Sequence, residues 1–274
     1  MRVDSTAKRL LFSTVRVDTV LDDGSQGSGT AFVLRHHGQL GPTDFVVTNR
    51  HLVEGVRDGA LVFTQARRGV PLLGCRFELR IEEFPAAWFV HPDPDVDLAV
   101  VPLEPLRRAA AGEGVELYIE AIDGRLIPDA PAWDSLDALE EVLFVGYPSG
   151  VWDQVNLMPI LRRGSTATPA MLDFEGRLQF LIDAAVYPGS SGSPVFIERG
   201  ERRMTRRDAP RELWFAGVVS AVFFREEARR VVPAPIPASL RAPELDTEMI
   251  DLGLVLKSDL VLELVQLYLR RWKA

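Results

Sequence analysis

Three short segments carry side chains that could form one reactive unit. His51 follows closely on the apolar run 45–47, Asp97 opens the apolar run 98–101, and Ser191 lies within Tyr187-Pro188-Gly189-Ser190-Ser191-Gly192-Ser193-Pro194. A serine hydroxyl is a poor nucleophile until an imidazole takes its proton. The imidazole in turn needs a carboxylate to set its tautomer and to stabilise the imidazolium that forms. A carbonyl under attack also needs preorganised donors. The backbone N–H groups of Gly189 and Ser191 are the candidates, since the glycines around Ser191 permit positive φ and close approach of a substrate. One such donor is worth about 2.7–4 kcal/mol of barrier.

Each of these residues has neighbours of the same type. Asp93 and Asp95 precede Asp97 and read as solvated loop carboxylates; Ser190 and Ser193 flank Ser191 and read as turn residues. His36, His37 and His91 have no comparable partners in the sequence and are read as structural.

The elements that must position these groups are mostly strands. Short β-type runs recur near 15–20, 30–34, 44–48, 60–64, 76–81 and 98–103, with a polar turn at 21–29 and a hairpin loop read at 36–43. Such spacing favours a barrel or sandwich over βαβ units. Residues 105–140 change character: an Ala-rich charged stretch, prolines at 128 and 131, and a helix-like composition at 135–141. This stretch is read as a linker. β-type runs resume at 142–146, 161–168, 178–184, 193–197, 213–224 and 253–257. A C-terminal helix then follows, with Ser258 as N-cap, Asp259 in its first turn, Arg270, Arg271 and Lys273 at its end, and Leu260, Leu264 and Leu267 on one face. The expected division is 1–104, 105–140 and 141–274, with a β-barrel on either side of the linker.

Composition narrows the function classes. A chain of 274 residues with 47% apolar content supplies a core for about two units. A net charge of −8 argues against a protein built to grip nucleic acid. The arginines at 199, 202, 203, 206, 207 and 211 are read as an exposed hairpin tip. Gly24-Ser-Gln-Gly-Ser-Gly29 leads into a strand and carries no lysine, so it is not read as a phosphate loop. Cys75 is the one cysteine, expected as a buried small hydrophobe, and no Cys-x-x-Cys suggests a zinc site. The longest apolar run, 213–224, is too short to cross a bilayer, and the N-terminus lacks the apolar stretch of a secretory signal. The expectation is a cytoplasmic protein with no membrane contact.

Thr48-Asn49-Arg50-His51, Asp97-Leu98-Ala99-Val100 and Gly189-Ser190-Ser191-Gly192-Ser193-Pro194 resemble the three signature blocks of chymotrypsin-fold, trypsin-like serine proteases. They stand in the same order, and their separations of 46 and 94 residues are close to those of the family template. The resemblance runs from about Phe12 to Trp272 and is closest to bacterial trypsin-like peptidases without disulfides. It implies an all-β fold of two packed six-stranded antiparallel β-barrels with a C-terminal α-helix and the site between the barrels. It also implies a serine endopeptidase acting through an acyl-enzyme on a protein or peptide substrate, with Ser191 as nucleophile, His51 as general base and then acid, and Asp97 orienting it. No metal or organic cofactor is implied, and a regulatory protein partner is expected.

The same resemblance places the specificity pocket at Ala185, Ser220, Val222 and Gly253, with Ser220 hydrogen-bonding near the reactive residues and lining the substrate strand. No aspartate stands at the pocket base and Val219 replaces the histidine of glutamyl-specific relatives, so small or medium apolar residues are expected before the scissile bond. Ser190 stands where zymogen-type members carry an aspartate, so activation by N-terminal cleavage is not expected. The charged, Pro-rich stretch 223–252 could reshape or cover the pocket. The alternatives are a catalytically silent binding protein of this fold and an esterase-like acyl hydrolase.

Overall fold

The computed structural model describes residues 1–39, 41–148, 152–199, 212–225, 231–235 and 248–272. A short helix α1 (Thr6–Leu10), capped by Ser5, precedes β1 (Thr14–Leu21), β2 (Gln26–Gly38), β3 (Gly41–Thr48), β4 (Val56–Arg67), β5 (Val70–Ile81), β6 (Phe89–Val90) and β7 (Ala99–Pro102). Helix α2 (Leu103–Gly112), β8 (Glu116–Tyr118), β9 (Ile122–Asp123) and helix α3 (Ala130–Asp134) follow. The second half comprises β10 (Glu141–Gly146), β11 (Ile160–Thr166), β12 (Gln179–Asp183), β13 (Pro194–Arg199), β14 (Glu212–Arg225), β15 (Val231–Pro235), β16 (Glu248–Lys257) and helix α4 (Ser258–Trp272).

The architecture is the expected all-β one. The first sheet runs β5-β4-β1-β2-β3-β7-β6, with β8 added to β4 and β9 to β2. It curls on itself, because β5 (Phe77, Leu79) and β7 (Ala99, Val101), far apart in strand order, share one core with Val15, Val33, Val46 and Phe63. In the second sheet β13-β10-β11-β12-β16-β14 closes by pairing β14 back onto β13, a ring of six strands. Its interior holds Val142, Phe144, Phe180, Ile182, Val195, Val219 and Val255.

The runs 31–34, 45–47 and 98–101 are continuously apolar because both faces of these strands are covered. Side chains alternate across a strand. Ala31, Val33, Val46, Ala99 and Val101 therefore enter the first core. Phe32, Leu34, Phe45, Val47, Leu98 and Val100 face the second sheet and α4, where they meet Phe196, Phe215, Leu260 and Leu264. This shared core sets the two halves against each other and leaves their adjoining loops to form a site.

Several local expectations differ from the structure. The strands of the β2–β3 hairpin extend through 36–38 and 41–43, with Gly41 at φ 110°, so the loop is much tighter than read. No helix forms at the expected 135–141; a short helix precedes it at 130–134, where Asp129 caps it by accepting from the Ala132 N–H and Pro131 fits its first turn. Within 105–140, β8 and β9 pair with the first sheet while Trp133 enters the second core. Cys75 is exposed rather than buried, since β5 bulges away from β4 between the Pro71–Ala66 and Arg76–Thr64 pairs and returns to the core at Phe77. Ser258 is the first residue of α4 and its Oγ has no hydrogen-bond partner among the described residues. Of the arginine run, residues 202–211 lie outside the described residues.

Candidate active site

The chain places His51 by ending β3 at Thr48 and turning through a single 3-10 turn, Arg50–Leu52. Leu52 and Val53, both fully buried, anchor that turn in the first core. Leu52 fills the space beside Gly29, where any Cβ would collide with it. Asp97 lies between buried Val96 and Leu98, and its carbonyl accepts a 2.8 Å hydrogen bond from Asn49 Nδ2.

The two side chains meet directly. His51 Nδ1 lies 2.7 Å from Asp97 Oδ2, and the His51 backbone N–H donates to Asp97 Oδ1 at 2.9 Å. Ser220 Oγ donates to Asp97 Oδ2 at 2.6 Å. An ionised carboxylate only accepts, so Nδ1 carries the imidazole proton and Nε2 is left as an acceptor. That nitrogen stands 3.0 Å from Ser191 Oγ. The arrangement can draw a proton from the serine hydroxyl and hold the resulting imidazolium against a negative charge.

Ser191 is held by its turn. Ser190 N–H donates to Tyr187 O at 2.9 Å, and Gly189 at φ 85° follows Pro188. Proline second and a positive-φ residue third define a type II turn, which requires glycine at 189. The N–H groups of Gly189 and Ser191 have no hydrogen-bond partner among the described residues. Gly192, at φ 81°, lies so close to Thr30 that a Cβ would collide with the Thr30 carbonyl.

Thr30, fully buried on β2 of the opposite sheet, is the residue that sequence reasoning missed. Its N–H donates to Ser191 O at 2.9 Å, and its Oγ1 donates to Gly189 O at 2.9 Å. The same Oγ1 accepts from the Tyr147 N–H at 2.9 Å, while its carbonyl accepts from Thr48 Oγ1 at 2.7 Å. Burial raises the Tyr147 phenol above its usual range, so it stays protonated. Thr30→Val should leave Gly189 O and the Tyr147 N–H unpaired, at about 1–3 kcal/mol. In steady-state kinetics it should lower kcat about tenfold or more, with Thr30→Ser near wild type. Equal kcat in the two variants would refute this role.

The residues expected to form the pocket lie together in part. Val222 and Gly253 are cross-strand partners, and a Cβ on Gly253 would approach Val186 Cγ2 to 2.7 Å. Val222 and Ser220 are buried, whereas Ala185 is half-buried between Ala184 and Val186. His91 is structural in setting: it is buried, and its Nδ1 accepts from the Asp93 N–H. Among the described residues no group of three or more His, Cys, Asp or Glu could hold a metal ion, and no helix is long and apolar enough to cross a membrane.

Comparison with known proteins agrees with this geometry. A family described as trypsin-like peptidase domain matches residues 29–202. HhoA of Synechocystis sp. (strain ATCC 27184 / PCC 6803 / Kazusa), which its name places with the serine proteases, is 27% identical over 178 residues. The match covers 64% of this chain and 35% of HhoA, so the chain spans about a third of that relative's length. Two structures of the HtrA-type protease AlgW with tripeptide superpose with TM-scores of 0.51 and 0.50 at 17% and 18% identity. They cover 97% and 95% of this chain and 63% and 61% of AlgW, and they show that the fold is shared.

Proposed function

Because this chain belongs to the trypsin-like peptidase family, we propose that it is a serine endopeptidase working through a Ser191–His51–Asp97 triad and an acyl-enzyme. The observation that carries this reading is the unbroken line from Asp97 Oδ2 to His51 Nδ1 at 2.7 Å and from His51 Nε2 to Ser191 Oγ at 3.0 Å.

Ser191 Oγ attacks the scissile carbonyl carbon as His51 Nε2 takes the hydroxyl proton. The carbonyl oxygen becomes an oxyanion held by the N–H groups of Gly189 and Ser191. As the C–N bond breaks, the imidazolium returns the proton to the departing amine and the acyl group remains esterified to Ser191. Water, deprotonated by His51, then attacks the ester and releases the acid. Turnover of an internally quenched peptide beside that of the matching ester separates the endopeptidase from an acyl hydrolase. Ester cleavage with no peptide cleavage would overturn the proposal.

The preferred residue before the scissile bond is small or medium and apolar, a reading supported by the close packing of Val186 against Gly253 and the pairing of Gly253 with Val222. A peptide library should therefore be cut mainly after Ala or Val, and cleavage mainly after Arg, Lys or Glu would refute this. One observation favours a second reading. Arg162 on β11, paired with Phe144 on β10, lies over the Tyr187 ring, and its buried Nη1 has no hydrogen-bond partner among the described residues. An acidic side chain reaching that guanidinium would be a substrate of a different class, and the same library distinguishes the two.

We place the protein in the cytoplasm, in keeping with its single cysteine. A protease in that compartment needs restraint, from narrow specificity or from a partner.

A further inference from the structure

Strand β14 passes beside the triad and has two edges. On one edge it pairs with β16, from Gly217 to Arg225. On the other it pairs first with β13, the last pair being Pro194 with Val218, and then with β15, from Ala221 with Pro235 to Arg225 with Val231. Since β16 fills one edge throughout, β13 and β15 share the other. Pro194 is three residues from Ser191, so this second edge leaves β13 beside the nucleophile turn. The Gly192 N–H donates to Val219 O at 2.9 Å, and Ser220 Oγ reaches Asp97. From Ala221 onward the edge belongs to β15.

A peptide presenting its carbonyl to Ser191 in an extended form gains affinity by adding its backbone to an adjoining sheet edge. The β14 edge next to the triad provides such a ladder, and residues 231–235 of the same chain already hold it. The sequence Val231-Val232-Pro233-Ala234-Pro235 suits this position. Proline donates no N–H, so the ladder donors are Val232 and Ala234, opposite Phe224 and Val222. Alternate prolines also blunt the outer edge of β15 against addition of another strand. The outer edge of β15 offers carbonyls but lacks the donors of Pro233 and Pro235, so it is a poor substitute for the β14 edge.

We infer that β15 is a self-restraining strand: it occupies in cis the β14 edge on which extended peptide substrates pair, and apolar, proline-spaced peptides like Val231–Pro235 compete with it. This rests on the serine endopeptidase reading. Binding requires displacement of β15, so the intact chain has a raised apparent KM for long peptides while its reactive groups stay in place.

The test compares the full chain with Ala234→Pro, which removes a ladder N–H on a strand already rich in proline. Three quantities are measured: kcat and KM on an internally quenched peptide extending five residues before the scissile bond, the rate of labelling by a small fluorophosphonate, and inhibition by capped Val-Val-Pro-Ala-Pro peptide. Loss of one or two ladder hydrogen bonds should lower KM about fivefold with kcat unchanged. The labelling rate should not change, because the probe needs no ladder, and the free peptide should inhibit the variant more strongly than the wild type. An unchanged or raised KM alongside normal labelling would overturn the inference alone. Absence of labelling in both proteins would overturn the endopeptidase reading and this inference with it.

Discussion

Ser191→Ala should abolish covalent labelling by a fluorophosphonate and lower peptide turnover by about 10⁶-fold, while the protein stays folded. The Ser191 hydroxyl is the group 3.0 Å from His51 Nε2, and neither flanking serine hydroxyl is hydrogen-bonded to that nitrogen. Ser190 Oγ accepts from the Tyr187 N–H within the turn, and Ser193 Oγ lies against Gly146, where a Cβ would strike it. Neither can replace the lost nucleophile. The substitution removes one oxygen from a residue whose backbone carbonyl and flanking N–H groups hold the turn, so the melting temperature should hold within a few degrees. Mass spectrometry of the labelled protein checks the prediction. A fluorophosphonate adduct persisting on Ser190 or Ser193 would show that the nucleophile has been misassigned. Labelling of the wild type, lost in the variant, also separates an enzyme from a silent binding protein of the same fold.

Asp97→Asn should lower kcat by about 10⁴-fold with little effect on KM. The Asp97 carboxylate accepts three hydrogen bonds, from His51 Nδ1, the His51 N–H and Ser220 Oγ. Asparagine keeps the shape but turns one oxygen into a donor. With the NH₂ group facing Nδ1, that nitrogen becomes the acceptor and the proton moves to Nε2, where it faces Ser191 Oγ. The imidazole can then no longer take the serine proton. With the amide oxygen facing Nδ1, the NH₂ group instead meets the His51 N–H, two donors together. Steady-state kinetics on one peptide substrate decides the matter: a kcat within tenfold of wild type would mean that Asp97 does not orient His51.

Much of this site could be read from short motifs. His51, Asp97 and Ser191 each sit where an apolar strand meets a loop, and residue type alone says what an imidazole, a carboxylate and a glycine-flanked hydroxyl can do together. Their order and spacing added the fold they share with the trypsin-like peptidases. The same resemblance puts Ser220 near the reactive residues, and the structure makes Asp97 its partner. Thr30 carried no such mark, because Gly27-Ser28-Gly29 ahead of it reads as a turn signal and its partner Gly189 is 159 residues away. Cys75 differs from expectation for a related reason: composition says how often a cysteine is buried, but only the bulge of β5 away from β4 exposes it.

The sequence by itself determined the reactive groups, the β-rich halves and the apolar runs that become the shared core, since these depend on residue type and local periodicity. Only the tertiary structure decided which strand clamps the nucleophile turn and which segment lies on the β14 edge. Val231–Pro235 falls within the charged, Pro-rich stretch 223–252 of the chain, and its pairing is made by backbone groups that every residue but proline carries alike. Backbone ladders are specified by register and by which edges remain open, and those are properties of the assembled sheet.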